Sequence, residues 1–218
     1  MITPLAEYYG KRATEYEQVY AKPERQADLA LLRDVVMRHF ARRHVLEVAS
    51  GTGYWTEVLA QGAISVVASD VSSDVLDLAR AKPILAKVDF QQVDAFELER
   101  VLGEFDAGFA GFWWSHVPRH DLSRFLRGFH DRVGAGASVM VLDNRFVEGS
   151  STPISRVDAS GNSYQQRRLA NGDEFEILKN FPPAGEVSTC LQAAGAEGIV
   201  VVELEFYWYA AYRVRSAT

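Results

Sequence analysis

Val45-Leu46-Glu47-Val48-Ala49-Ser50-Gly51-Thr52-Gly53-Tyr54 opens as a short apolar strand and closes in a tight glycine turn. Thr56-Glu57-Val58-Leu59-Ala60 then reads as a helix. A strand, a Gly-x-Gly turn and a helix N-terminus in succession build a cradle for a nucleotide. Gly51 and Gly53 let the backbone approach a ligand, because no Cβ intervenes. Glu47 lies in the strand just before the turn. A carboxylate there suits ribose hydroxyls or a cationic group better than a phosphate. A dinucleotide fingerprint, Gly-x-Gly-x-x-Gly, would need glycine at position 56, which is Thr56. An NAD-dependent oxidoreductase is therefore the weaker reading.

Outward from this turn, strand-like and helical segments alternate. Apolar runs at residues 45–49, 64–69, 88–93, 105–112 and 138–143 predict strands, and residues 52–61, 72–82, 95–102 and 121–133 predict helices. Such alternation implies a parallel sheet with helices on both faces. Two helices are expected in the first forty residues, with Tyr9, Ala13, Tyr16 and Tyr20 on one face of the first. Leu29, Leu32, Val36 and Phe40 lie on one face of the second, which Pro23 starts. Residues 155–178 are polar and turn-rich, with Ala-Asn-Gly-Asp at 170–173, and predict an inserted β-hairpin. A helix over 182–194 and strands over 198–206 and 208–214 follow. With no linker or repeat, the 218 residues read as one domain.

The glycine-turn stretch resembles the first motif of class I S-adenosylmethionine-dependent methyltransferases, Glu/Asp-x-Gly-x-Gly-x-Gly. Glu47, Ala49, Gly51 and Gly53 stand at its positions, with Ala49 in place of the first glycine. The resemblance covers about residues 43–202. It implies an α/β Rossmann-like sheet of seven strands, mostly parallel with an antiparallel last strand. It also implies S-adenosylmethionine as cofactor.

Two further acids fit that cofactor. Asp70 ends the second strand, roughly 20 residues past the turn, where a carboxylate accepts hydrogen bonds from both ribose hydroxyls, with Val71 beside it. NAD enzymes share this feature. Asp94-Ala95-Phe96, after the third strand, resembles the family's adenine-binding pattern. The resemblance gives the Asp94 carboxylate the adenine amino group and the Ala95 N–H a ring nitrogen, with Phe96 packing on the ring. Phe105-Asp106-Ala107-Gly108 resembles the start of the family's fourth strand, whose end at Phe112 lies by the sulfonium. Gly111-Phe112-Trp113-Trp114-Ser115-His116 stands where exocyclic-amine DNA methyltransferases carry Asp/Asn-Pro-Pro-Tyr, which argues against nucleobase chemistry.

Methyl transfer is an in-line displacement in which proximity and orientation supply much of the rate. His116 is the candidate general base or orienter. Trp113, Arg145, Tyr164 and Arg168 are candidates for the acceptor side, and Tyr16 for a helical lid over residues 1–42. Arginines and tyrosines over a pocket suit a planar or anionic small molecule. A net charge of −6 argues against a broad nucleic-acid footprint. No apolar run approaches a membrane span, and residues 1–20 carry charges throughout, unlike a signal peptide. The one cysteine, Cys190, fits a reducing cytoplasmic setting and reads as a small hydrophobe in its helix. The expectation is an O- or N-directed small-molecule methyltransferase, monomeric or homodimeric, without a metal. The alternative is a protein or RNA methyltransferase.

Overall fold

The computed structural model describes residues 20–169 and 171–216. In chain order its principal elements are α1 (Gln26–His39), β1 (His44–Val48), α2 (Tyr54–Leu59), β2 (Ser65–Asp70) and α3 (Ser73–Arg80). Next come β3 (Asp89–Gln92), β4 (Ala107–Gly111), α4 (Leu122–Val133), β5 (Ser138–Asn144), β6 (Arg156–Val157), β7 (Ser163–Arg168) and β8 (Glu174–Leu178). The chain then forms α5 (Ala184–Ala193), β9 (Ala196–Glu203) and β10 (Tyr207–Val214). Seven strands make the main sheet in the order β3-β2-β1-β4-β5-β10-β9. β10 runs antiparallel to both neighbours, and the other pairs are parallel. This is the Rossmann-like methyltransferase sheet that the sequence implied.

A central parallel strand is covered on both faces, so Val45, Leu46 and Val48 are all buried. Val45 packs with Leu29, Leu32, Val36 and Trp55 from the α1 and α2 side. Leu46 and Val48 pack with Phe125, Phe129 and Leu191 from the α4 and α5 side. In α4 the buried residues Leu122, Phe125, Leu126, Phe129 and Val133 recur every three or four positions and form one stripe. Each such side chain contributes about 1.5–3 kcal/mol by leaving water. Gly108 lets α4 approach β4: a Cβ there would lie 2.7 Å from Phe129 Cζ.

Three local expectations are corrected. Residues 95–102 form no α-helix, only a 3₁₀ turn at Leu98–Arg100, because Asp94 accepts the Phe96 N–H and turns the chain first. The insertion 155–178 is a three-stranded antiparallel sheet, β6-β7-β8, rather than one hairpin. Asn171-Gly172 does turn β7 into β8, and the earlier Gly161, at φ 78°, turns β6 into β7. Pro23 opens a 3₁₀ turn, Pro23–Arg25, that leads into α1. The first expected helix, with Tyr9, Ala13 and Tyr16, lies outside the described residues. Among those that are described, no helix is long and apolar enough to cross a membrane.

The chain moves outward from β1 to β3 and then returns to start β4 beside β1. At such a reversal the loops leaving the two strands diverge, and a crevice opens at their C-terminal ends, where open α/β sheets bind ligands. The glycine turn leaves β1 there, and Phe112 leaves β4.

Candidate active site

The turn after β1 is held in left-handed backbone. Ala49 has φ 55°, Gly51 56° and Gly53 85°. For a non-glycine residue this conformation costs on the order of 1–3 kcal/mol and concentrates at functional sites. Gly53 is required twice over, because a Cβ would also lie 2.8 Å from Leu85 Cδ1. Asp70 fastens the turn: Oδ2 accepts the Gly51 N–H at 2.9 Å and Oδ1 the Ser72 N–H at 3.0 Å. Each oxygen retains a lone pair for a ligand hydroxyl. Burial raises the Asp70 carboxyl, and these backbone donors oppose the rise. At the next strand exit, Asp94 Oδ1 accepts the Phe96 N–H at 2.9 Å. Ala95 is buried, Val71 is 44% exposed, and the Phe96 ring lies edge-on to Trp113 at 6.2 Å.

Among the buried, unpartnered polar atoms, Glu47 Oε2 and Ser50 Oγ lie at the strand end of this cradle and Thr56 Oγ1 on its helix. Buried polar atoms ordinarily find partners, so an orphaned pair at a strand end marks a place for a ligand. Burial pushes the Glu47 carboxyl up to about 8; the Thr56 hydroxyl eases this and the Asp70 charge adds to it.

A family model described as a methyltransferase domain matches residues 45–136. The biotin biosynthesis bifunctional protein BioHC of Cellvibrio japonicus (strain Ueda107) is 31% identical over 144 residues, 62% of this chain. The chain spans only 28% of that relative's length. The DhpI–SAH complex structure aligns with 99% of this chain and 98% of its own, at TM-score 0.81 and 28% identity. The DhpI–SAM–HEP complex aligns over 96% of each chain, at TM-score 0.79 and 28% identity. Over residues 45–136 the chain matches a methyltransferase domain, and its whole sheet has the fold of the S-adenosylmethionine-dependent methyltransferases. Its cofactor is S-adenosylmethionine, and the strained turn, the Asp70 carboxylate and the orphaned polar atoms fit that molecule.

If Asp70 binds the ribose of this methyltransferase's cofactor, Asp70→Ala removes a charged acceptor and unfastens the Gly51 N–H. Affinity for S-adenosylhomocysteine (SAH) is then expected to fall by about 1.5–3 kcal/mol, roughly tenfold to a hundredfold. Titration calorimetry checks this, and an unchanged affinity would remove Asp70 from the site.

The exit of β4 is aromatic. Phe112 has φ 59°, and its ring packs on Tyr20 at 5.8 Å and Tyr207 at 5.7 Å. Tyr20 stacks on Tyr54 at 3.7 Å, which fastens the end of the N-terminal segment to the cradle. Trp113 stands with Phe96 and Phe125, and its indole N–H has no hydrogen-bond partner.

His116 is buried, with Nδ1 2.8 Å from the Leu178 carbonyl. Burial and the Lys179 charge hold it down to about 3, so it stays neutral and weakly basic. The expectation for it is a general base or orienter, and a general base works best with a pKa near the working pH. His116 ties β8 to the exit of β4. Beside it lies a buried hub. Lys179 Nζ donates to Ser115 Oγ at 2.6 Å and to Asp143 Oδ1 at 3.1 Å, and the Ser115 N–H donates to Asp143 Oδ2 at 2.8 Å. Burial lowers Lys179; it would raise Asp143, but the Lys179 charge and the nearby donors hold that carboxyl down.

The arginines and tyrosine expected at the acceptor side have other surroundings. Arg145 bonds the Leu204 carbonyl and pairs with Glu203 at 3.4 Å, on the β9–β10 connection. Tyr164 donates to Asp158 at 3.1 Å, with the Arg156 guanidinium 3.6 Å from its ring centre. Arg156 pairs with Glu176, and Arg168 is exposed at the end of β7. Tyr16 lies outside the described residues.

Arg25, absent from the sequence reading, is 7% exposed. It donates to Ser150 and to Asn144 Oδ1 at 3.3 Å, and it faces the Phe206 and Tyr207 rings at 5.3 and 5.6 Å. Only the folded chain brings it to the ends of β5 and β10. The sequence signal was slight: one arginine in the run before a helix.

Proposed function

We propose that this methyltransferase transfers a methyl group to an oxygen of a small acceptor that already carries negative charge. The observation that carries the reading is Arg25. It is a buried guanidinium whose direct hydrogen-bond partners, Ser150, Asn144 and Tyr207, are neutral, at the C-terminal edge of the sheet, with the Glu24 carboxylate beyond it on the Ser150 hydroxyl. A buried cation ordinarily has an anionic partner; Glu24 acts on Arg25 but bonds Ser150 rather than the guanidinium, and an anionic group on the acceptor would supply a direct partner. The Asp143 carboxylate acts on Lys179 most strongly, and the positive charges of Arg167 and Arg25 reach it as well.

When bound, S-adenosylmethionine supplies a methyl group on a sulfonium centre. The residues have a positioning task. Phe112, Tyr20 and Tyr207 wall the acceptor end with aromatic rings and keep water out. Arg25 would hold the acceptor's anionic group and aim its oxygen. A weakly basic His116 accepts no proton at neutral pH, which favours a nucleophile that arrives deprotonated. An oxyanion meets that condition, whereas a protonated amine would need a base.

The test is turnover with methyl-labelled cofactor against matched small acceptors: carboxylates, phosphoryl monoesters, neutral alcohols and amines. Anionic acceptors are expected to turn over. Arg25→Lys, which keeps the charge but loses the fork, should raise KM roughly tenfold. SAH affinity should hold. Equal turnover of amines, or an unmoved KM in the variant, would refute the reading.

A further inference from the structure

Two carboxyl groups, Glu47 on β1 and Asp70 at the end of β2, share the cradle floor, and their surroundings differ. Asp70 accepts two backbone N–H bonds, which suit an anion. Glu47 is 2% exposed, and its Oε2 has no hydrogen-bond partner. The elements around it, among the described residues, bring it no cation. β2 presents the like charge of Asp70, and α2 presents the Thr56 hydroxyl. β4, Ala107-Gly108-Phe109-Ala110-Gly111, has no ionisable side chain. The Val45 face beside it is apolar, with Leu29, Leu32 and Val36 from α1. A second negative charge in so dry a place, next to the first, is strongly disfavoured.

We propose that Glu47 is protonated in the ligand-free protein and gives up that proton as the cofactor's α-ammonium arrives beside it, so that cofactor binding releases one proton. The inference rests on the cradle being the S-adenosylmethionine site. The step balances simply: the Glu47 O–H bond breaks, its electron pair stays on the carboxylate, and the proton passes to solvent. The ammonium then provides the counter-charge that the fold withholds, and the orphaned Oε2 gains its donor. Asp70 keeps the Gly51 and Ser72 N–H groups as its donors.

The raised pKa of Glu47, about 8, supports this, because the free carboxyl then keeps its proton at neutral pH. The consequence is a cofactor affinity that climbs with pH below that value. Between pH 6 and pH 8 the gain is roughly an order of magnitude or more, since each unit below the free pKa costs about tenfold.

Titration calorimetry with SAH in phosphate and in Tris, buffers of different ionisation heat, measures the proton directly. At pH 7 close to one proton is expected to leave per SAH bound, falling toward none at pH 9. 5′-Methylthioadenosine, which lacks the ammonium, is expected to bind without releasing a proton. Glu47→Gln should abolish the release and flatten the pH dependence of SAH affinity. Equal heats in both buffers at pH 7 with a flat affinity from pH 6 to 8 would overturn the proposal. Proton release by 5′-methylthioadenosine would do the same. SAH that binds at no pH would overturn the cofactor site itself, a result distinct from binding without proton release.

Discussion

Lys179→Met is expected to lower the unfolding free energy by about 3–5 kcal/mol, the usual cost of stranding one member of a buried ion pair. Asp143 is fully buried, and the Lys179 side chain is 8% exposed. Removing the ammonium leaves a carboxylate with only the N–H groups of Ser115 and Asn144, and it strips Ser115 Oγ of its donor. For a chain of this size the loss corresponds to a fall in Tm of roughly 10 °C. The pair Lys179→Met and Asp143→Leu together should recover most of that loss, because no uncompensated charge then remains. Urea unfolding of the two single variants and the double closes the cycle. A Lys179→Met protein as stable as the wild type would mean that water reaches Asp143. The hub also docks the three-stranded insertion: the Asn180 N–H donates to the Ser115 carbonyl, and the Ser163 N–H to Asn180 Oδ1. A damaged hub should therefore raise the acceptor KM before it touches cofactor affinity.

Glu47→Gln is expected to gain stability on the wild type as pH rises, while losing cofactor affinity. The folded carboxyl keeps its proton to about 8, whereas the unfolded one ionises near its ordinary value of 4.5. Between those values the folded state binds more protons, so the Glu47 contribution to stability falls as pH rises. The limiting slope is about 1.4 kcal/mol per pH unit. At pH 7 the accumulated cost is about 2–3 kcal/mol, allowing for relaxation around the site. Glutamine cannot ionise and escapes it. Comparing the two proteins at pH 5 and pH 8 cancels His116, whose burial acts in the opposite direction: held neutral down to about 3, it withdraws stability as pH falls below its ordinary 6.5. A stability difference that stays constant from pH 5 to pH 8 would show that Glu47 ionises freely in the folded protein. In its free state the protein would thus hold a destabilising carboxyl at the position where a cationic ligand repays it, a common exchange of stability for function.

The cradle was legible in the sequence because its parts are local. Glu47, Ala49, Gly51 and Gly53 lie within one strand and one turn, and the backbone demand for left-handed φ is written in small residues. Asp70 and Asp94 were legible because a parallel sheet delivers successive strand ends to one edge, so position along the chain translates into position in space. The insertion was legible as β structure from Asn171-Gly172. Its third strand, β6, was not, since two residues carry no alternation.

The partners of the other charged residues were less legible, for a physical reason. Arg25 and Asn144 are 119 residues apart, and Lys179 and Asp143 are 36 apart. No spacing rule links such pairs. Residue type alone pointed to Arg145, Tyr164, Arg168 and His116. Whether an arginine faces a crevice, a carbonyl or a glutamate depends on which strand lies opposite, and whether a histidine titrates depends on how dry its surroundings are. The sequence by itself determined the sheet, the glycine turn and the acids around it, because strand periodicity and backbone conformation are properties of neighbouring residues. The tertiary structure alone decided which charges are buried, which are paired and which wait for a ligand, because burial and pairing are set by segments that meet only when the chain has folded.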